Sequence, residues 1–189
     1  MKPLFLTCGA LALTAACATP TPPSITARDV DRAYAEALRI SALPAAAPAD
    51  IPSGTVTYDG QIGADVRGDA QGSILADMTM IVGFDTNAIS GNVSNINLVD
   101  PAGIPTQRFG GSLAIAGIEN DGDLDAIASG QISGVDDDGY AVEADMDLDL
   151  VGTVVNDAGQ GDAIFGSATG SAAGDFYLGV DGVFFGTQR

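Results

Sequence analysis

The chain has 189 residues, a formal net charge of −18 at pH 7, 25 glycines, two cysteines and no histidine or tryptophan. A surface this acidic repels nucleic acid and anionic headgroups, which argues against a nucleic-acid-binding protein. Because Lys2 is the only lysine, the usual catalytic nucleophiles and bases reduce to Ser, Thr, Tyr, Asp and Glu. We expect the acidity to serve solubility, and the alternative is a charge suited to one cationic partner.

Residues 1–16 have the layout of a secretory signal peptide. Lys2 supplies the positive charge, and the uncharged run from Leu4 to Ala16 is rich in Leu and Ala. That run is too short for a transmembrane helix, which needs roughly 20 residues. We therefore predict that residues 1–16 are removed, which leaves enough chain for one domain and a tether. Cys8 lies within the removed segment, so the mature chain has no intramolecular disulfide.

Cys17 directly follows the small residues Thr14, Ala15 and Ala16. A small-residue triplet that ends at a cysteine resembles the bacterial lipobox, although that motif prefers Leu where this chain has Thr14. The resemblance implies that Cys17 is acylated and becomes the mature N-terminus, and two or more acyl chains anchor a protein stably. Ala18, where an Asp often signals retention in the inner membrane, favours the outer membrane. The alternative is ordinary cleavage after Ala18, which releases a soluble periplasmic or secreted protein.

The region before the main domain is predicted to contain a tether, a helix and a linker. Residues 17–25 form a lipid-anchored, proline-rich tether that should be extended and semi-rigid and should hold the next element off the membrane. The pattern over residues 26–43 predicts an amphipathic helix, with Thr26 and Asp29 as its N-terminal capping pair. Residues 44–53 are proline-rich, end the helix and form a linker.

The predicted helix carries apolar residues at helical spacing and half of the six arginines of the chain. We expect it to pack across the acidic domain behind it, and a partner-binding helix is the alternative. Its predicted apolar stripe consists of Val30, Ala33, Tyr34, Ala37, Leu38 and Ser41, and its arginines are Arg28, Arg32 and Arg39.

In residues 54–189 the hydrophobic period changes to two. In the run YAVEADMDLDLVG, the apolar residues from Val142 to Leu150 alternate with the acids from Glu143 to Asp149, which predicts a half-buried antiparallel strand. Similar runs, separated by turn signals such as NDGD, DDDG and GSAAG, indicate about eight strands. The predicted fold is therefore mainly β: an antiparallel eight-stranded up-and-down β-barrel preceded by a short N-terminal helix. A two-sheet sandwich is the main competitor.

A barrel with alternating faces could instead span a membrane. Spanning barrels carry aromatic girdles, whereas this chain has only 7 Phe, 4 Tyr and no Trp. The chain also ends in Arg189 rather than in an aromatic residue, and a lipid anchor would be redundant on a spanning barrel. We therefore expect a barrel that lies outside the membrane.

Two stretches of the barrel region carry a family resemblance. GSILADMTMIVGFDTNAISGNVSNI resembles the strand–turn–strand pattern of transferrin-binding-protein-type surface lipoproteins, a group that includes factor H-binding relatives. GDFYLGVDGVFFG is similar to the final hairpin of that family, with a shortened acidic loop and Asp181 in place of a glycine. The resemblance implies a C-terminal eight-stranded barrel on an acylated N-terminus, exported to the outer membrane and often to the cell surface. It implies binding rather than catalysis, and the ligand does not carry over.

Two acidic segments could hold a cation. Asp121, Asp123 and Asp125 have the opening spacing of a calcium loop, but Ala126 and Ile132 occupy positions where such a loop needs Gly and Glu. The segment VDDDGY carries an Asp-Gly hairpin signal. We interpret both segments as turns, and the three aspartates remain a weak metal candidate. No cofactor is predicted.

The acids alternate along strands or cluster in turns, and none is isolated in an apolar segment that would raise its pKa, so we predict no enzyme. We expect a non-catalytic β-barrel that binds an unidentified protein or small molecule, and the family resemblance implies a role in iron, haem or host-protein capture. A structural envelope lipoprotein without a ligand is the alternative. The loops VDPAGIPTQRFGG and VNDAGQG are the predicted contact surface, and Arg108 and Phe109 are its candidate contact residues.

Overall fold

The computed structural model describes residues 18–157 and 161–189. The predicted signal peptide of residues 1–16 and the predicted lipid attachment at Cys17 lie outside the described residues, as does the centre of the predicted loop VNDAGQG.

The described chain consists of one helix followed by ten strands. The helix is α1 (Ala27–Ser41). The strands are β1 (Thr55–Gly68), β2 (Gly72–Gly83), β3 (Ala88–Val99), β4 (Pro105–Arg108), β5 (Gly110–Gly111), β6 (Leu113–Asn120), β7 (Asp123–Val135), β8 (Ala141–Asp157), β9 (Gly161–Gly174) and β10 (Tyr177–Gln188).

The strands close into a barrel. Each strand pairs antiparallel with its neighbours, and β1 pairs with both β2 and β10, so the first and last strands close the ring. The short strands β4, β5 and β6 together fill the single position between β3 and β7, because β4 and β6 pair with β3 while β5 and β6 pair with β7. The prediction of an antiparallel eight-stranded up-and-down barrel is confirmed.

Two predicted boundaries were wrong. The segment GSAAG, predicted as a turn, is the end of β9, and the chain reverses instead at Asp175 and Phe176. The glycine at the start of this segment serves strand packing rather than a turn. Gly170 lies so close to β8 that a Cβ there would collide with the backbone oxygen of Asp147. The first strand also continues well past the predicted GTVTYDG run, to Gly68, because the run that follows it keeps the same alternation of buried and exposed residues.

Side chains fill the barrel interior. Buried residues alternate with exposed ones along each strand, as the run Ala144, Met146, Leu148 and Leu150 shows on β8. The fully buried ring of Phe184 lies over two glycines of neighbouring strands. A Cβ on Gly152 or Gly166 would come within 2.7 or 2.5 Å of that ring. These glycines therefore make room for an aromatic side chain inside the barrel.

Helix α1 packs against the outside of the barrel. Its buried residues Ala33 and Ile40 join a cluster with Leu75, Val155, Ala163 and Phe185 of the outer wall, and Val30 and Ala37 pack beside them. The expected packing across the barrel is confirmed, but the predicted stripe was wrong at three positions. Tyr34 and Leu38 are 67% and 53% exposed, and Ser41 is exposed as well, because the helix turns Ile40 rather than these residues toward the wall.

Local polar contacts fasten both ends of α1. The Asp29 carboxylate accepts hydrogen bonds from the Thr26 backbone N–H at 2.9 Å and the Thr26 hydroxyl at 2.7 Å, which confirms the capping pair. Arg39 contacts Glu36 at 2.7 Å and Asp157 of β8 at 2.8 Å. These contacts, that with Glu36 first, raise the pKa of the Arg39 guanidinium above its ordinary value.

The N-terminal segment does not project from the barrel as the predicted tether would. The Ala18 N–H donates to the Gly139 carbonyl at 3.0 Å, and the Thr21 carbonyl accepts from the Arg108 N–H at 2.9 Å. The Ser24 N–H donates to Oδ1 of the buried Asn97 at 3.0 Å. Backbone hydrogen bonds satisfied in this way hold the proline-rich segment along the barrel surface.

The linker lies at the opposite end of the barrel from Gly139. The Ala46 N–H donates to the Val154 carbonyl at 2.9 Å, and the Gly54 carbonyl accepts from Phe84 at 2.8 Å. Ile51 of the linker lies beside Gly122 in the β6–β7 turn. The linker therefore packs across this end of the barrel.

Among the described residues, no helix has the length and apolar character needed to cross a membrane.

Candidate functional site

A concave surface at one end of the barrel forms its mouth. We use this name for the cavity of about 770 Å³ at the end where the β1–β2, β3–β4, β7–β8 and β9–β10 connections meet. Ligand sites of small molecules occupy roughly 300–1,000 Å³. Pro20 of the fastened N-terminal segment also lines the mouth, so this segment forms part of its rim.

The floor of the mouth is apolar and aromatic. Phe109 and Phe176 lie stacked, with their ring centroids 6.0 Å apart and their planes 12° from parallel. Leu98, Val142 and Leu178 complete the floor. Phe109 is only 5% exposed and belongs to the main core cluster. Phe109 thus closes the top of the packed interior, and the half-buried Phe176 stacked on it presents aromatic surface to the opening.

The rim of the mouth is acidic. Five aspartates line it, and no arginine or lysine does so among the described residues. The five are Asp69, Asp100, Asp136, Asp137 and Asp138. A concave site that combines an apolar floor with charges of one sign discriminates strongly by charge, because clefts of this kind concentrate the local field.

Turn chemistry determines where three of these aspartates lie. Asp136 accepts from the N–H groups of Asp138 at 3.0 Å and Tyr140 at 2.7 Å, and Gly139 supplies the positive φ of 83° that this turn needs. Asp69 accepts from the Tyr177 N–H at 2.7 Å. Asp100 accepts two backbone N–H groups of its own loop, each at 2.9 Å. The turn interpretation of VDDDGY is confirmed.

The structure separates the two predicted contact residues. Most of the loop VDPAGIPTQRFGG is strand, because residues 105–108 pair with β3 and residues 110–111 pair with β7, which leaves 100–104 as the loop. Arg108 is exposed, and its side chain is not among those that line the mouth. Phe109 is buried in the floor. The predicted contact loop is therefore much shorter than expected: it spans residues 100–104 and is followed by the short strands β4 and β5.

The weak metal candidate is a hairpin turn. Asn120 pairs with Asp123, and Asp121 and Gly122 between them have φ values of 51° and 90°, the signature of a two-residue turn. Asp123 and Asp125 are exposed on β7. Within residues 18–157 and 161–189, no group of three or more acidic, His or Cys side chains is arranged to hold a metal ion.

A polar cluster at the linker end escaped the sequence analysis. Tyr58 is fully buried, and its hydroxyl has no hydrogen-bond partner among the described residues. Burial first, and then the charges of Asp162 and Glu119, raise the pKa of this phenol above its ordinary value. Glu119 is 3% exposed and accepts from the Gly122 N–H at 2.7 Å. Its inward position in the alternating run LAIAGIEN is a signal that sequence reasoning could have used.

Together these features define a class: a small antiparallel β-barrel with a packed interior and an open mouth that is apolar in its floor and acidic at its rim. No protein-family model matches the chain, and neither a curated protein nor a solved structure matches it. The resemblance to transferrin-binding-protein-type lipoproteins therefore stays a prediction.

Proposed function

We propose that this protein is an exported, lipid-anchored β-barrel of the bacterial outer membrane that acts as a non-catalytic binding module, with the mouth as its binding surface. The observation that carries the proposal is the mouth itself. It is a cavity of about 770 Å³ with a stacked aromatic floor in a barrel whose interior is otherwise filled by side chains. A packed interior leaves the open end as the place where a ligand can be enclosed.

The position of the N-terminal segment determines which part of the barrel an anchor at Cys17 would hold near the membrane. Ala18, the residue that follows Cys17, is hydrogen-bonded to Gly139 at the rim of the mouth. Consecutive Cα atoms are about 3.8 Å apart. An acylated Cys17 would thus hold the rim of the mouth next to the lipid surface, and the binding site would lie close to the membrane.

The outer wall of the barrel argues against a spanning barrel. Glu143, Asp145, Asp147 and Asp149 are exposed on β8, and the residues between them are mostly buried inside. A spanning barrel has the opposite arrangement, with an apolar band outside and a polar interior. This face of β8 is suited to water, and membrane attachment would depend on the acyl chains.

The groups that line the mouth favour binding over catalysis. Its ionisable side chains are carboxylates, and three of them accept backbone hydrogen bonds that position turns. The described residues that line the mouth include no imidazole or thiol, since the chain has no histidine and both of its cysteines lie outside the described residues. Carboxylates without a nitrogen or sulfur ligand fit a cationic or protein partner better than haem iron. The mouth is therefore poorly suited to haem capture. A structural lipoprotein without a ligand is the second candidate function.

Intact mass spectrometry of the protein extracted from its native membrane fraction tests the anchor. We expect a chain that begins at Cys17 and carries the added mass of acyl chains. The Cys17→Ser variant, as the matched control, should lack this mass and leave the outer-membrane fraction. A chain that begins after Ala18 with no added mass would make the protein a soluble barrel and would contradict the proposal.

A further inference from the structure

We propose that the mouth binds a cationic amphiphile, meaning a molecule with an ammonium or guanidinium group on an apolar body. This inference deepens the proposed function and rests on its assignment of the mouth as the binding surface. It follows from two properties of the same cavity, the apolar floor and the single sign of charge at the rim.

The floor recognises the apolar body. The half-buried side chains of Phe176 and Leu98 form its accessible apolar surface, and the buried Phe109 supports Phe176 from below. Burial of apolar ligand surface here yields roughly 25 cal/mol per Å² before the costs of association. The faces of aromatic rings also attract cations within about 6 Å of their centroids. The floor is therefore compatible with a positive charge at its edge.

The rim recognises the charge. Turn hydrogen bonds occupy one oxygen each of Asp69, Asp100 and Asp136. Asp137 and Asp138 are exposed at the tip of the β7–β8 loop. With no arginine or lysine among the described lining residues, an anionic ligand would be repelled and a cationic one would neutralise the rim.

The size and place of the mouth favour an amphiphile over a basic protein. A cavity of about 770 Å³ encloses a ligand of drug size. Cys17 lies one residue from the rim-bound Ala18, so the acylated protein would meet molecules that partition into the membrane. An amphiphile partitions in this way because its apolar body leaves water while its charge stays at the surface.

Calorimetric titration of the full chain carrying Cys17→Ser tests the proposal without an acyl anchor. The probes are decyltrimethylammonium, decyl maltoside and decyl sulfate, each below its micelle-forming concentration. We expect saturable binding of one decyltrimethylammonium that weakens as salt is added, because screening reduces the attraction of the rim. We expect much weaker binding of decyl maltoside and no binding of decyl sulfate.

Two matched double variants locate the binding. Asp137→Asn with Asp138→Asn removes two charges from the rim and should weaken decyltrimethylammonium binding about three- to tenfold. Asp147→Asn with Asp149→Asn removes the same charge from the outer face of β8 and should leave affinity unchanged. Phe176→Leu keeps an apolar side chain but removes the aromatic ring, so it should weaken the binding of both decyltrimethylammonium and decyl maltoside. Its melting temperature shows whether the barrel is still folded.

Three results would overturn the proposal. They are the absence of binding by decyltrimethylammonium, equal binding by decyl sulfate, and equal losses in the two Asn double variants. The last would mean that overall charge rather than the mouth attracts the cation. A failure of this proposal can be told apart from a failure of the anchor. Mass spectrometry tests the acylation of Cys17, whereas the titration uses the Cys17→Ser chain, which has no acyl group.

Discussion

Arg108 and Phe109 are adjacent in the chain, yet they have different surroundings. Arg108 is exposed, whereas Phe109 is 5% exposed and stacks on Phe176. Neighbouring residues of a strand point to opposite faces, so a pair that looks like one contact surface in the sequence is divided by the barrel wall.

This division predicts different effects of the two alanine substitutions. Phe109→Ala should lower the free energy of unfolding by about 3 kcal/mol, because it removes a buried ring and leaves a cavity beneath the mouth. Arg108→Ala, the control on the exposed neighbour, should change it by less than about 0.5 kcal/mol. Urea unfolding followed by circular dichroism measures both. Equal effects would mean that Phe109 is not part of the packed core.

At the level of the elements, glycine has two different roles. In the turn after β6, Gly122 has a φ of 90°, a conformation that glycine adopts without steric cost. Gly166 has no such conformation, but its missing Cβ makes room for Phe184. The sequence analysis interpreted clustered glycines as turn signals. That interpretation was right for NDGD, which contains Gly122, and wrong for GSAAG, where small residues allow close packing of strands.

A pair of alanine substitutions separates packing from backbone freedom. A Cβ at Gly166 would lie within 2.5 Å of the Phe184 ring, whereas a Cβ at Gly63 of β1 would meet nothing within 4 Å. Gly166→Ala should therefore destabilise the barrel by about 2–3 kcal/mol through overpacking. Gly63→Ala should be neutral or stabilise by up to about 1 kcal/mol, because it restricts the unfolded chain.

Thermal and urea unfolding of both variants give these values. A tolerated Gly166→Ala would contradict the packing of Phe184 described above. Destabilisation by Gly63→Ala would show that the space beside α1 is more crowded than the structure indicates.

For the whole molecule, charge opposes folding. The net charge of −18 is spread over a small barrel, and Asp65 and Asp181 face each other across β1 and β10. Such like-charge pairs are destabilising, and self-repulsion weakens a compact state. Among the described residues, ion pairs are limited to four contacts. Three of them involve arginines of α1, and the fourth joins Arg189 to Asp59.

Added salt should therefore stabilise the protein. The screening length falls from about 10 Å at 0.1 M to about 3 Å at 1 M salt, so we expect the melting temperature to rise over this range of NaCl. The Asp147→Asn and Asp149→Asn double variant, which has two fewer charges on β8, should show a smaller rise. A melting temperature that falls with salt would mean that attractive ion pairs outweigh the repulsion.

The period-two pattern, the turn residues and the strand number by themselves determined an antiparallel fold of about eight half-buried strands, because alternation along a strand requires one buried face. Only the tertiary structure decided between a sandwich and a barrel, through the pairing of β1 with β10. The capping pair Thr26 and Asp29 was equally readable, since both partners lie within one helical turn. Only the tertiary structure decided that the N-terminal segment follows the rim and that Phe109 lies in the floor of the mouth. The tertiary structure alone could also show that five aspartates from three separate connections line one cavity. These features depend on contacts between residues far apart in the chain, which closure of the ring brings together and which no local pattern encodes.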